Sequence, residues 1–179
     1  MKKSSFSEDV QKNVDAKLDE LQPFWKTFGE ESDRAIAVVA ACLLDDLLER
    51  IIRASYIQDP GVKSLFKDSN MLQPFSIKIN IAYFSGLIPH SIYHDLKLIC
   101  EIRNRFAHAV IADLKFTDET IVHKIDRFVI GPHGIPELSA PKTKFLIGVA
   151  EIVAVLHVIE EMLSKIRLPH LVEVLHLNE

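Results

Sequence analysis

Ile36-Ala37-Val38-Val39-Ala40-Ala41-Cys42-Leu43-Leu44-Asp45-Asp46-Leu47-Leu48-Glu49-Arg50-Ile51-Ile52 is the stretch whose reading decides the fold. Ile36, Val39, Ala40, Leu43, Leu44, Leu47, Leu48, Ile51 and Ile52 recur at three- and four-residue spacing, the period of a helix with one apolar face. A strand would alternate every second residue, and this stretch does not. Asp45, Asp46, Glu49, Arg50 and Arg53 fall largely on other faces. The spacing predicts a helix from Glu31 to about Tyr56. A second long helix is expected over about Lys142 to Arg167, where Phe145, Val149, Ile152, Leu156, Ile159, Leu163 and Ile166 alternate spacings of four and three. Ile147, Ala150, Val155 and Val158 widen that seam. A helix apolar over so much of its circumference is buried on several sides, and the expectation is a homodimer interface or the centre of a bundle.

Working outward, Asp59-Pro60-Gly61 reads as a turn, with a short helix over Val62 to Phe66. Residues 74–84 form another helix, with Pro74 in its first turn and Gly86 as its terminator. The next runs from about Pro89 to Ala107. Thr117 is the expected cap of a short helix that has Asp118 and Glu119 in its first turn. Residues 128–141 hold two Gly and three Pro and read as a long loop. Upstream, residues 7–22 form an amphipathic helix with Ser7 as N-cap, and Pro23 is expected to end it or to mark the next turn. Phe24, Trp25 and Phe28 then fold back as an aromatic turn before Gly29. Pro169 opens a tail.

The expected fold is all-α: a helical bundle with two or more long helices in one domain over residues 1–179. It divides into an N-terminal helix and aromatic turn (1–29), a helical core (30–167) and a tail (168–179). The chain's 179 residues suit one domain with a sizeable core, and its 6 Gly and 8 Pro leave few breakers. Its formal charge of -4 removes the usual electrostatic argument for nucleic-acid binding, and no basic recognition helix is present. Cys42 and Cys100 sit in apolar helical patterns and read as buried thiols in a reducing compartment. Polar residues follow Met1-Lys2-Lys3, so no signal peptide is expected, and no apolar run reaches membrane-spanning length. The expected location is cytoplasmic.

The chemistry lies on the helix near residue 100. Ile92, Leu96, Ile99, Cys100, Ile102 and Phe106 define its apolar face, and Arg103 falls inside that face. A buried guanidinium without a partner is costly, so Arg103 is expected to meet a carboxylate, backbone carbonyls or a wet cleft. Asp45, Asp46 and Glu49 are the candidate partners. Asn104 and His108 share one flank. In the bland reading Arg103 ties two helices together, Asn104 bonds backbone, and His108 favours the helix C-terminus. In the functional reading Arg103 grips a phosphate, His108 moves a proton and Asn104 orients either. Those three suffice for metal-free cleavage of RNA by its own 2′-hydroxyl. Arg103 and His108 are five apart, about 140° around an ideal helix. They converge only if the helix loosens near Ala107 or a second subunit completes the site.

At Glu101-Ile102-Arg103-Asn104-Arg105-Phe106-Ala107-His108 the sequence resembles the HEPN superfamily of helical bundles. Arg103, Asn104 and His108 match its signature. The wider order of features resembles the mannitol operon repressor (MtlR) family over roughly residues 30–167. That likeness rests on the apolar helix Arg34 to Ile52, on Phe75-Ser76-Ile77-Lys78-Ile79 and on Gly86-Leu87-Ile88. It continues through the loop Ile130-Gly131-Pro132-His133-Gly134 and a last long helix. The MtlR resemblance implies repression of a mannitol operon through protein partners, without a recognised DNA-binding motif. The HEPN resemblance implies a metal-independent, commonly dimeric endoribonuclease with Arg103, Asn104 and His108 as catalytic residues and RNA as substrate.

Other candidates read more blandly. His90 and His94 are four apart but lack a third ligand at a matching distance, so no metal and no cofactor is expected. His157 reads as a core histidine, and nothing specific supports His133. Asp45 and Asp46 are adjacent and point about 100° apart, which is no catalytic pair. The regulatory reading ranks first, on the length of the match and the lack of a basic helix; the nuclease is the alternative. A helical interaction module that keeps Arg103 as a structural charge is the third. The residues alone fit both an enzyme and a non-catalytic regulator.

Overall fold

A computed structural model describes residues 7–56, 72–109, 113–131 and 139–165. Among them are six helices and no strand: α1 (Glu8–Phe28), α2 (Asp33–Ser55), α3 (Phe75–Phe84), α4 (His90–His108), α5 (Glu119–Ile125) and α6 (Pro141–Lys165). The expected turn at Asp59-Pro60-Gly61, the short helix over Val62 to Phe66, His133 and the tail from Pro169 lie outside the described residues.

The apolar period of α2 makes it the hub. It packs against α6, α4 and α3, and α1 lies along the far side of α6. Ile36, Leu44, Leu47, Leu48, Ile51 and Ile52 of α2 are fully buried. They meet Ile92, Leu96, Ile99 and Ile102 of α4 and Val149, Ile152 and Leu156 of α6 in one core. Each such side chain contributes about 1.5–3 kcal/mol by leaving water. Phe116, in the connection before α5, lies between the tilted rings of Phe106 of α4 (5.1 Å) and Phe145 of α6 (4.7 Å), which joins the three elements. Most of the apolar circumference of α6 is covered within the chain, by α1 and α2, with Leu146 and Ile147 half-buried and Met162 exposed. That helix therefore gives no argument for a homodimer.

The helix ends obey local chemistry. Ser32, not Glu31, precedes α2, and its hydroxyl accepts from Ala35 N. Ser7 holds the N-cap position of α1 but makes no side-chain cap bond. Gly86 (φ +70°) ends α3, with Leu87 N donating to Ala82 O and Gly86 N to Tyr83 O. Pro74 is the N-cap of α3 rather than a first-turn residue, and Pro89 is the N-cap of α4. Asp118, not Thr117, precedes α5.

Pro23 does not end α1. The helix continues to Phe28, and Phe24, Trp25 and Phe28 form an aromatic cluster on its last two turns instead of folding back. A mid-helix proline costs one backbone bond and some steric strain. Burial of Phe28 and packing of Trp25 on the core offset that here. Val39 is 46% exposed, against the expectation for its apolar position. Cys42 is exposed, which corrects the reading of two buried thiols; Cys100 is buried. No helix among the described residues is long and apolar enough to cross a membrane.

Candidate functional site

Helix α4 carries the sequence motif. Arg103 stands at the edge of the buried face and is half-buried, while Asn104 and His108 are exposed. The Arg103 Nη1 donates to Asn104 Oδ1 at 3.0 Å, and Asn104 Nδ2 lies 4.0 Å from Cys100 Sγ. Among the described residues Arg103 forms no ion pair, so the expected tie to Asp45, Asp46 or Glu49 is not made. Helix α4 stays regular through His108, so Arg103 and His108 keep their separation of about 140°. Within one chain the three motif residues do not converge on a single ligand.

Lys78 has taken the place expected of Arg103. It sits on α3, is 3% exposed, and its ammonium lies 2.8 Å from Glu49 Oε2 and 3.0 Å from Asp45 Oδ1. The first contact is a hydrogen bond; the second is an ion pair out of line for one, leaving Asp45 Oδ1 without a hydrogen bond. Arg53 grips the other Glu49 oxygen at 2.7 Å, and Asp46 turns outward to Arg50. Burial pushes the Asp45 carboxyl above the usual carboxylate range, beyond what Lys78 and the more distant Arg103 restore. Burial also acts on Glu49, but the bonds from Lys78 and Arg53 outweigh it and hold that carboxyl low. Burial pulls Lys78 down, yet its two carboxylates together keep it above the ordinary lysine value. Sequence reading missed Lys78 because one lysine in the apolar run Phe75-Ser76-Ile77-Lys78-Ile79 looks like a solvent-facing position.

Asp95 is the second missed group. It is fully buried on α4, and its carboxylate accepts from Val129 N (2.9 and 3.0 Å) and Ile130 N (2.7 Å). His94 Nδ1 is 2.8 Å from the same oxygen that receives the shorter Val129 bond. His94 is thus paired with its neighbour rather than free at the surface. His157, half-buried on α6, is pulled below the usual histidine value by burial first and by Arg50 and Lys17 next.

The arrangement chemically most available to a partner is apolar. Ile77 (37% exposed) and Phe84 (76% exposed) lie seven apart on the outer face of α3, with half-buried Ile81 between them. Tyr83 stacks on Tyr93 of α4 at 4.3 Å, and His90 meets Tyr83 edge-on at 5.8 Å. Tyr93 Oη reaches Asn80 Oδ1 at 3.4 Å. Gly86 turns the chain so that the end of α3 and the start of α4 present these rings together. An exposed phenylalanine among stacked tyrosines is the composition of a protein-binding surface.

Arg103→Met is expected to change stability by less than about 1 kcal/mol, since a half-exposed guanidinium bonded to an amide contributes little. Urea unfolding checks this; a loss of several kcal/mol would mean a buried ionic partner.

Residues 34–140 match the family model described as MtlR, mannitol repressor, a span of more than half the chain. Among solved structures the chain is similar to one described as the X-ray structure of the MtlR-HPr complex from Escherichia coli. The identity is 17%, with 80% of this chain and 97% of that chain covered and a TM-score of 0.59, a likeness of fold. The comparison with curated proteins gave no match.

Proposed function

The chain belongs to the mannitol repressor (MtlR) family, and from that membership we propose that it is a regulator of mannitol operon transcription that works through contact with a protein partner. The observation that carries this reading is the apolar face of α3 and α4, where Ile77 and Phe84 are exposed beside half-buried Tyr83 and Tyr93, inside the matched residues 34–140. The solved complex of similar fold pairs MtlR with HPr, and an HPr protein is the partner we propose for this chain. The net charge of -4 favours a protein partner over direct contact with DNA phosphates. Such a regulator works in the cytoplasm, which two unbridged cysteines suit.

The ribonuclease reading of Arg103, Asn104 and His108 has weaker support, because one chain holds Arg103 and His108 apart. It keeps one test: the chain incubated with mixed RNA and chelator. Cleavage lost in both Arg103→Ala and His108→Ala would favour it.

Transcription tests the regulatory reading. Deleting the gene is expected to raise mannitol operon transcripts severalfold. Restoring the wild-type gene, or the Arg103→Ala gene, should reverse that. Phe84→Asp should not reverse it, although the variant folds, because it places a carboxylate on the proposed contact face. Full repression by Phe84→Asp would remove that face from the account.

A further inference from the structure

Between Gln73 and His94 the only Asp, Glu, Lys or Arg is Lys78, although such residues make up 26% of the chain. Lys78 is buried against Asp45 and Glu49, so its charge does not reach the outer face of α3. That face shows Ile77 and Phe84, with exposed Gln73 and Ser85 and half-buried Asn80 around them. Pro89 and His90 continue the surface onto the start of α4, and both are exposed. Asp95, the next charged residue along α4, is fully buried, and Lys97 stands one turn beyond Tyr93. With histidine counted neutral, the surface built by Gln73 to His94 therefore carries no formal charge at pH 7.

The helix ends add little charge of their own. At the end of α3 the carbonyls of Ile81, Ala82 and Tyr83 accept from Ser85 N, Leu87 N and Gly86 N. Only Gly86, Leu87 and Ile88 separate the C-cap of α3, Ser85, from the N-cap of α4, Pro89. The negative end of one helix thus meets the positive start of the next, and the two partial charges offset each other. A face without charge does not steer an ionic partner toward it. An ion docked on it would lose its water and gain no counter-charge.

We propose that the protein partner meets this face with an uncharged patch of its own, apolar at Phe84 and Ile77 and edged by hydroxyl and amide groups at Asn80 and Ser85. The inference rests on the reading of α3 and α4 as the partner site and adds the chemistry of what docks there. Burial of apolar surface then holds the complex, and salt has no ion pair to screen. Encounter is that of a neutral pair, at about 10⁵–10⁶ M⁻¹s⁻¹.

The full chain is titrated with an HPr protein in low salt and again at tenfold higher salt. The dissociation constant is expected to stay within about threefold, and a larger loss overturns the proposal. Ser85→Glu and Ser85→Lys give the sign test. Ser85 is exposed beside Phe84, so both variants should melt as the wild type does. Each should weaken binding by about fivefold or more, because a charge of either sign meets an uncharged patch. Binding that tightens in one variant and weakens in the other would mean that the partner's patch is charged, and overturns the proposal while leaving the partner site in place. Unchanged affinity in both would take Ser85 out of the contact and overturn it too. No binding by the wild type at either salt would overturn the partner reading itself, and this inference with it. A dimer of the chain alone that Phe84→Asp breaks would assign the face to a second copy, with the same consequence.

Discussion

Asp95→Ala should lower the thermal unfolding midpoint by roughly 10 °C. Asp95 is fully buried, and its carboxylate receives the backbone N–H groups of Val129 and Ile130. Hydrogen bonds to a charged acceptor contribute about 1.5–3 kcal/mol each, and removing one partner of a buried charged set costs about 3–5 kcal/mol. For a chain of this length, each kcal/mol corresponds to about 2–4 °C. The alanine leaves the Ile130 N–H in a buried position without its acceptor. It also frees Phe128, whose ring fits against Gly148 of α6, where a methyl group would come within 3.0 Å of it. Asp95→Asn keeps one acceptor oxygen but turns amide hydrogens toward the same donors, so it should lose about half as much. A midpoint for Asp95→Ala within 2 °C of wild type would mean the segment at 128–130 holds itself in place.

The second large effect is at Lys78. Lys78→Met should cost about 3–5 kcal/mol at pH 7, because it fits the space but leaves Asp45 and Glu49 facing each other with no cation between them. The pH dependence separates this from a packing defect. In the wild-type chain the lowered Glu49 carboxyl gives stability that is present above the usual carboxylate range and lost as pH falls through it. The raised Lys78 gives stability that is present at neutral pH and lost only as pH rises through its folded pKa, above the ordinary lysine value. The raised Asp45 acts the other way, favouring the folded state as it takes up its proton. Without Lys78 both carboxyls move up, so the folded variant binds protons before the unfolded chain does. Its deficit should therefore shrink between pH 7 and pH 5, as the displaced carboxyls take up protons in the folded variant first. Urea unfolding at the two pH values measures it, and a deficit that is the same at both would point to lost packing instead.

The long helices were legible because their apolar periods are strong and tertiary packing agrees with them. Ile36 to Ile52 became the buried hub, and Gly86 ended α3 through its positive φ as its type implied. Pro23 was misread because local chemistry says stop, while the aromatic residues after it gain enough by packing to carry the helix on. The site was half legible. The period of α4 put Arg103 inside the apolar face, whereas it stands half-buried at the edge of that face, and one-dimensional spacing does not say which cation reaches which acid across helices. Lys78 reaches Asp45 and Glu49 from α3 because Asp45 and Glu49, four residues apart on α2, turn toward that helix. Asp95 was invisible for a related reason. Its partners are backbone N–H groups thirty-four and thirty-five residues away, and a backbone donor has no residue type to notice. The aromatic face was missed as well; its signal was Tyr83-Phe84 and Tyr93 flanking Gly86, a cluster that the reading of turns passed over.

Regulation through the face carrying Phe84 requires that a protein partner bind there. Calorimetric titration of the full chain with an HPr protein from the same cell tests it most directly. The account predicts a saturable one-site heat for the wild type and for Arg103→Ala. It predicts at least a tenfold loss of affinity for Phe84→Asp at an unchanged melting temperature. Undiminished binding by Phe84→Asp, or no binding by the wild type, would contradict it.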